Sequence, residues 1–326
     1  MRRERMNALI VNRQPPAVRP NGQLTGAAGQ NDLIADYMAY LDVKDTTARN
    51  YRQALSSWRE WLKSRGISQP IRADVIQYRD YLKAGEYAPG TVQTYLTGIK
   101  LFYRWTAIEG LYPNISDHVK GAKVTRDHKR DYMTAGQVRD VLEAIDTQTE
   151  AGARDYAVIL LMVTGGLRDK EVSAANVGDM QLKAGNIVLY VAGKGRDGKP
   201  EYVKLAATVE KAIRNYLKYR GSVTDETPLF ISNSRNSSAG NRISPRSVSA
   251  LVKRRLQAAG YDSPKLTAHS LRHSAVTLSL LGGEDLRHVA QFARHRDIST
   301  TEIYDHGLQL DANSCAETVS AAIFKD

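Results

Sequence analysis

Apolar residues recur at three- and four-residue spacing along most of this 326-residue chain and give way to β-branched runs in one stretch, Asn186–Ala192 and Glu201–Leu205. The first spacing buries one face of a helix, whereas runs of the second kind suit a pleated strand. A glycine-rich segment, Gly193-Lys-Gly-Arg-Asp-Gly-Lys-Pro, separates the two runs and reads as the turn of an antiparallel hairpin. The expected fold is therefore mainly α with a small antiparallel β-sheet. The length suffices for two ordinary domains.

The helical pattern itself falls into two parts. Residues 1–30, with Pro15, Pro16 and Pro20 and little periodicity, read as a flexible arm. From Asn31 a first helix presents Leu33, Ile34, Tyr37, Met38 and Leu41 on one face. Thr46 or Thr47 is placed to cap a second, striped by Tyr51, Leu55, Trp58 and Leu62, and Ala73–Lys83 is a third. Thr91 opens a fourth, with Val92, Leu96, Ile99 and Tyr103 inward. Residues 31–123 thus read as a bundle of about four or five helices. Residues 124–131 are polar after Val124 and carry six ionisable side chains, which is linker composition. Residues 132–310 make a second, mixed domain. Thr134 caps its first helix (Val138, Leu142, Ile145), Tyr156–Val163 is strongly apolar, and helices resume at Thr208 after the hairpin. Residues 311–326 form a tail with Cys315, Val319, Ala322 and Ile323 on a weakly apolar face.

Charge points to a polyanionic partner. The net charge is +11, and residues 1–131 hold 21 Lys and Arg against 13 Asp and Glu, while the remainder holds 25 against 22. Neutralising phosphates releases counterions, so a cationic half favours nucleic acid. Arg49, Arg52 and Arg59 lie off the apolar stripe of the second helix, and Lys100 and Arg104 off that of the fourth, as on a surface that grips a duplex. No run of about 18 apolar residues is present to span a membrane. The basic start is followed by no apolar leader core, and the lone Cys315 can neither close an internal disulfide nor build a cysteine zinc site. A cytoplasmic, nucleoid-associated protein is expected.

Four short patterns carry reactive groups. Thr164-Gly-Gly-Leu-Arg-Asp-Lys-Glu171 ends the apolar helix on two glycines and places Arg168 at the start of the next element. Lys194 sits in the hairpin turn. In Ala268-His-Ser-Leu-Arg-His273, His269 and Arg272 are three apart and share a helix face, with Leu271 toward the core. In the segment from Ala293 to His306, Ser299, Thr300 and Thr301 make a helix N-terminus, Tyr304 falls one turn later, and His295 precedes them. Each pattern alone is ordinary: a surface arginine, a solvated lysine, a structural histidine, an amphipathic tyrosine.

In this order, over residues 31–310, the patterns resemble the tyrosine recombinase (phage integrase-like) family, and its simple Xer-like members most. The resemblance implies an N-terminal helical, SAM-like core-binding domain and an α+β catalytic domain. It matches Arg168, Lys194, His269, Arg272, His295 and Tyr304 to the catalytic series, with Glu171 as the acidic residue that steadies the first arginine. Two features depart from the family's habit: Thr-Gly-Gly-Leu-Arg stands for Thr-Gly-Leu-Arg, and Arg294 stands where glycine commonly precedes the later histidine.

The implied chemistry suits these side chains. Two arginines stabilise the charge gathered on a phosphorane's equatorial oxygens. A phenol with a pKa near 10 needs a base, for which His269 is the candidate, and the departing 5′ oxygen needs an acid, for which Lys194 is the candidate. Attack by Tyr304 would leave a 3′-phosphotyrosine and a 5′ hydroxyl, conserving the bond, so neither metal nor other cofactor is expected.

The resemblance further implies double-stranded DNA with paired inverted-repeat half-sites as the partner, held by a homo-tetramer whose tails dock in neighbouring subunits. It implies a second DNA-contacting helix after Ser244, with Arg246, Lys253 and Arg254 on its polar side, and two domains that close on the duplex. The biological setting would be a mobile element, dimer resolution, transposition or inversion. Rival readings are a type IB topoisomerase or telomere resolvase, and a DNA-binding accessory protein without catalysis.

Overall fold

In a computed structural model the chain divides into two units, Met1–Thr125 and Arg126–Asp326. The structure describes residues 26–122, 131–192, 198–233, 240–311 and 314–324. Residues 1–25 of the expected N-terminal arm, most of the expected linker and residues 193–197 of the hairpin turn, Lys194 among them, lie outside the described residues.

The first unit contains α1 (Gly26–Tyr40), α2 (Asp45–Ser64), α3 (Arg72–Ala84) and α4 (Pro89–Ile108). The expected stripes are the buried ones: Leu55, Trp58 and Leu62 on α2 meet Val92, Leu96, Ile99 and Tyr103 on α4. Gly98 makes the approach of these two helices possible, since a Cβ there would stand 3.0 Å from the Cβ of Ala54. Trp58 stacks on Trp61 with ring centroids 5.4 Å apart and donates its indole N–H to the Tyr103 hydroxyl at 3.0 Å. The buried aromatic thus keeps a polar partner. Helix starts differ from expectation. α1 begins at Gly26 rather than Asn31, and α2 begins at Asp45 after Lys44, with neither threonine as its cap. α4 begins at Pro89, ahead of Thr91, because proline's fixed φ and missing N–H are harmless in a first turn.

The second unit is built around α6 (Glu150–Gly165), which is buried along almost its whole length. Before it, α5 (Ala135–Glu143) is capped by Thr134, which accepts from the Gln137 N–H while Gln137 reaches back to the Thr134 N–H at 2.9 Å. After it come α7 (Asp169–Ala174) and a three-stranded antiparallel sheet, β1 (Met180–Lys183), β2 (Asn186–Val191) and β3 (Glu201–Lys204). The register pairs Met180 with Leu189 and Lys183 with Asn186, then Val188 with Lys204 and Val191 with Glu201. β1 is the strand the β-branched runs do not announce: Met180-Gln-Leu-Lys is mostly exposed and is held by its pairing to β2. The Lys199 ammonium ties the hairpin's return to Asp179 and to the Ala174 carbonyl.

The unit closes with α8 (Ala207–Lys218), α9 (Pro245–Ala258), α10 (Ala268–Leu281), α11 (Leu286–Phe292), α12 (Ser299–Asp311) and α13 (Cys315–Ile323). α6 packs on α8 and α10. A buried ion-pair chain joins α6 to α9: Arg154 bonds Asp155 at 2.7 Å, and Asp155 accepts from Arg255 at 2.8 Å. Every described side chain from Ser314 to Phe324 is exposed, including Val319, Ile323 and Phe324. Among the described residues no helix is long and apolar enough to cross a membrane.

Candidate active site

Three separated stretches of chain meet at Glu171. Gly166 ends α6 in the left-handed conformation (φ 57°), which glycine adopts without penalty, and this turn delivers Arg168 to the N-terminus of α7. Glu171, one turn on and 3% exposed, accepts from the Arg168 N–H at 2.9 Å and from its Nη1 at 2.6 Å. From beyond α11, Arg294 reaches the same carboxylate, Nη2 to Oε2 at 2.9 Å. Arg272, 1% exposed on α10, donates Nη1 to the Gly166 carbonyl and Nη2 to the Ala293 carbonyl. Arg294 Nη2 also reaches the Gly166 carbonyl, at 2.9 Å. Two guanidinium groups therefore share one acceptor.

Tyr304 enters from α12. Asp297 opens that helix by accepting the Ser299 N–H at 3.0 Å, and Tyr304 follows as expected. Its ring is 8% exposed and packs with Val276, Val289 and Ala293. His273 lies beside it at 5.1 Å between centroids, and His295 faces it nearly parallel at 6.4 Å. His273 also meets His269 edge-on at 4.7 Å. The structure thus brings Arg168, Arg272, His295, Tyr304 and Glu171 into one cluster, with His269 exposed at its edge. Arg168, Asp169, Ser249, Thr267, Ala268 and His269 line an open depression there, beside the first turn of α10. The N–H groups of that turn add positive potential.

Electrostatics set the cluster's character. Among the described residues three guanidinium groups face one carboxylate. Burial, then Arg168 and Arg294, bring the Arg272 guanidinium down to about 9, with Glu171 and Tyr304 opposing. Burial, then Arg272, Arg168, Arg294 and His269, push the His295 imidazole down to about 4, so it is neutral at pH 7. Its Nδ1 is 2.7 Å from the Thr301 hydroxyl on α12. Burial raises the Tyr304 phenol to about 12, with Arg272 and Arg168 pulling the other way. An anion that entered such a site would relieve the repulsion among the guanidinium groups.

The depressed histidine predicts a pH effect. Between the ordinary value of 6.5 and its folded value of about 4, the unfolded chain binds a proton that the folded site refuses. Stability therefore falls as pH drops through that window. Melting temperatures of the wild type should decline between pH 7 and 5 more steeply than those of His295→Gln. Parallel curves would contradict this.

Two central residues carry no motif of their own. His273 could be found only from its four-residue spacing from His269, and Arg294 stood out as a departure. The basic residues chosen for DNA fare unequally. Arg49, Arg52, Arg104, Arg246 and Arg254 are exposed on α2, α4 and α9. Lys100 instead donates to the Val119 carbonyl, and Lys253 is engaged by Asp262 at 2.9 Å and the Ser263 carbonyl at 2.8 Å. Both lysines are turned to their own units, because an ammonium on a flexible stem finds the nearest carbonyl.

Comparison with known proteins adds a common pattern. Residues 131–309 match the Phage integrase family, and residues 32–110 match the phage integrase N-terminal SAM-like domain. The tyrosine recombinase XerD of Ralstonia nicotianae is 30% identical over 286 residues, 84% of this chain and 89% of that protein. A tyrosine recombinase of Synechococcus elongatus is 29% identical over 266 residues, 81% of this chain and 80% of that one. Among solved structures, XerH recombinase bound to its difH substrate after cleavage superposes with a TM-score of 0.67 at 19% identity, covering 89% of this chain and 84% of that one. A lambda integrase dimer on a core site gives 0.63 at 16% identity, covering 82% and 95%.

Proposed function

This chain belongs to the phage integrase family of tyrosine recombinases, and we propose that Tyr304 is the nucleophile with which it cuts and rejoins DNA. The observation that carries the reading is the buried phenol within the field of Arg272 and Arg168. A phosphodiester placed there would be gripped by Arg168 and Arg272, whose forked donors suit two non-bridging oxygens. Tyr304 Oη attacks phosphorus, the bond to the 5′ oxygen breaks, and the phosphate remains on Tyr304 as a 3′-phosphotyrosine. The phenolic proton leaves to His269 and the 5′ oxygen is protonated by Lys194. A phenol at about 12 is almost wholly protonated at pH 7, so deprotonation must accompany attack. His295, neutral and bonded to Thr301, ties the pocket to the nucleophile's helix.

Duplex DNA with paired inverted-repeat half-sites fits the exposed arginines of α2, α4 and α9 and the DNA carried by the XerH and lambda integrase structures. The described side chains of α13 are all exposed, and with Val319, Ile323 and the following Phe324 uncovered this supports a tail that docks on a neighbouring subunit and links four copies. A two-site recombination assay run beside plasmid relaxation tests this reading. The full chain should exchange partners between two sites, while a chain ending at His306 should bind DNA and fail to recombine. Relaxation without exchange would overturn the recombinase reading in favour of a topoisomerase. Recombination by the shortened chain would overturn the tail's role.

A further inference from the structure

Arg294 is built into the site at a cost. Its backbone lies at φ 53°, a conformation that a side chain with a Cβ adopts with strain, and its side chain is 4% exposed. The guanidinium spends its donors inward: Nη1 on the Phe292 and Gly165 carbonyls at 2.9 and 3.3 Å, Nη2 on the Gly166 carbonyl and Glu171 Oε2 at 2.9 Å each. Among the described residues its Nε has no partner. All four of its Nη bonds run to protein acceptors, and the remaining donor, Nε, is buried.

The consequence lies at Glu171. A carboxylate facing one arginine takes it bidentately, fork to fork. Here Oε2 is occupied by Arg294 and the Arg168 N–H, and the Arg168 guanidinium is left with Oε1 alone. We propose that Arg294 is a positioning residue that occupies one oxygen of Glu171, restricts Arg168 to a single bond with the other, and so leaves the Arg168 fork open for the phosphate. The inference rests on the reading that Arg168 holds the scissile phosphate. Charge supports the geometry. Burial, the largest influence, drives the Glu171 carboxyl up; Arg294, then the Arg168 N–H and the Arg168 and Arg272 guanidinium groups, together more than offset it and hold the carboxyl below its ordinary value. Among the described residues Arg294, Arg168 and Arg272 are the charged groups acting on Glu171, and without Arg294 the carboxylate protonates at higher pH and stops orienting Arg168.

The test is single-turnover cleavage of a suicide duplex, nicked beside the cleavage position, as a function of pH. Arg294→Gly relieves the backbone strain but should slow cleavage about 100-fold, and Arg294→Lys, which returns a charge without the fork, about tenfold, the range in which outer partners of catalytic groups act. Arg294→Gly should also move the acid limb of the profile to higher pH, which a purely structural loss would not do. DNA affinity, measured in a Tyr304→Phe background, should be the same with and without the substitution. A wild-type rate and profile in Arg294→Gly overturns the inference while leaving the proposed function intact. If that variant does not fold, a wild-type rate in Arg294→Lys overturns it equally. Absence of cleavage by the wild type would instead strike the proposed function.

Discussion

Tyr304→Phe should bind its recognition duplex as the wild type does and form no covalent product with it, a loss of about four orders of magnitude or more if any background reaction is seen. The substitution removes one oxygen and leaves the ring packed with Val276, Val289 and Ala293 and beside the imidazoles of His273 and His295. The apolar contacts that hold α12 in place are kept, so folding should be little changed. On the same helix the Thr301 hydroxyl is buried and already engaged by His295. The check is denaturing electrophoresis of the protein with a nicked suicide duplex, beside a binding titration. An adduct of wild-type yield in the phenylalanine variant would remove Tyr304 from the chemistry.

Arg272→Ala should separate activity from stability in the opposite sense from an ordinary core substitution. Cleavage should fall by about 10²–10³-fold, the usual effect of deleting a donor aimed at developing charge. The loss of stability should be smaller than the side chain's depth suggests. The Gly166 carbonyl keeps Arg294 as a donor, so the Ala293 carbonyl is the group left orphaned. That costs about 1–3 kcal/mol. Against this, removing one of three clustered cations relieves both the burial of a charge and the repulsion from Arg168 and Arg294 that together bring the Arg272 guanidinium down to about 9. Cleavage kinetics and thermal melting of the same preparation check the pair of effects. A large drop in melting temperature with near-normal cleavage would contradict the account. Arg272→Lys should recover little activity, because one ammonium cannot serve two carbonyls and a phosphate.

The sequence reveals those parts of the structure that local physics decides. The α2 and α4 stripes, the Thr134 cap, the glycine break after α6 and the hairpin strands are each legible, because each follows from spacing or from a residue's own backbone preference. β1 is not legible: its residues are largely exposed, and it is a strand because β2 pairs with it. The gathering of Arg168, Arg272, His295 and Tyr304 is expected only through resemblance, since no periodicity tells which polar residues from the start of α7, from α10, from the segment before α12 and from α12 itself will meet. Arg294 shows the limit most clearly. It stands out as a deviation, but its bond to Glu171 spans 123 residues and exists only in three dimensions. The orientation of Lys100 and Lys253 is hidden for the same reason, because being off the apolar stripe does not distinguish solvent from a nearby carbonyl.

The proposed chemistry makes a covalent bond between one phenol and one strand end. The decisive measurement is mass spectrometry of the trapped adduct after proteolysis and nuclease trimming. The expected product is a nucleotide joined through its 3′ phosphate to the peptide containing Tyr304, with a free 5′ hydroxyl on the released strand. A phosphate carried by any other residue, or a linkage through the 5′ end, would contradict it.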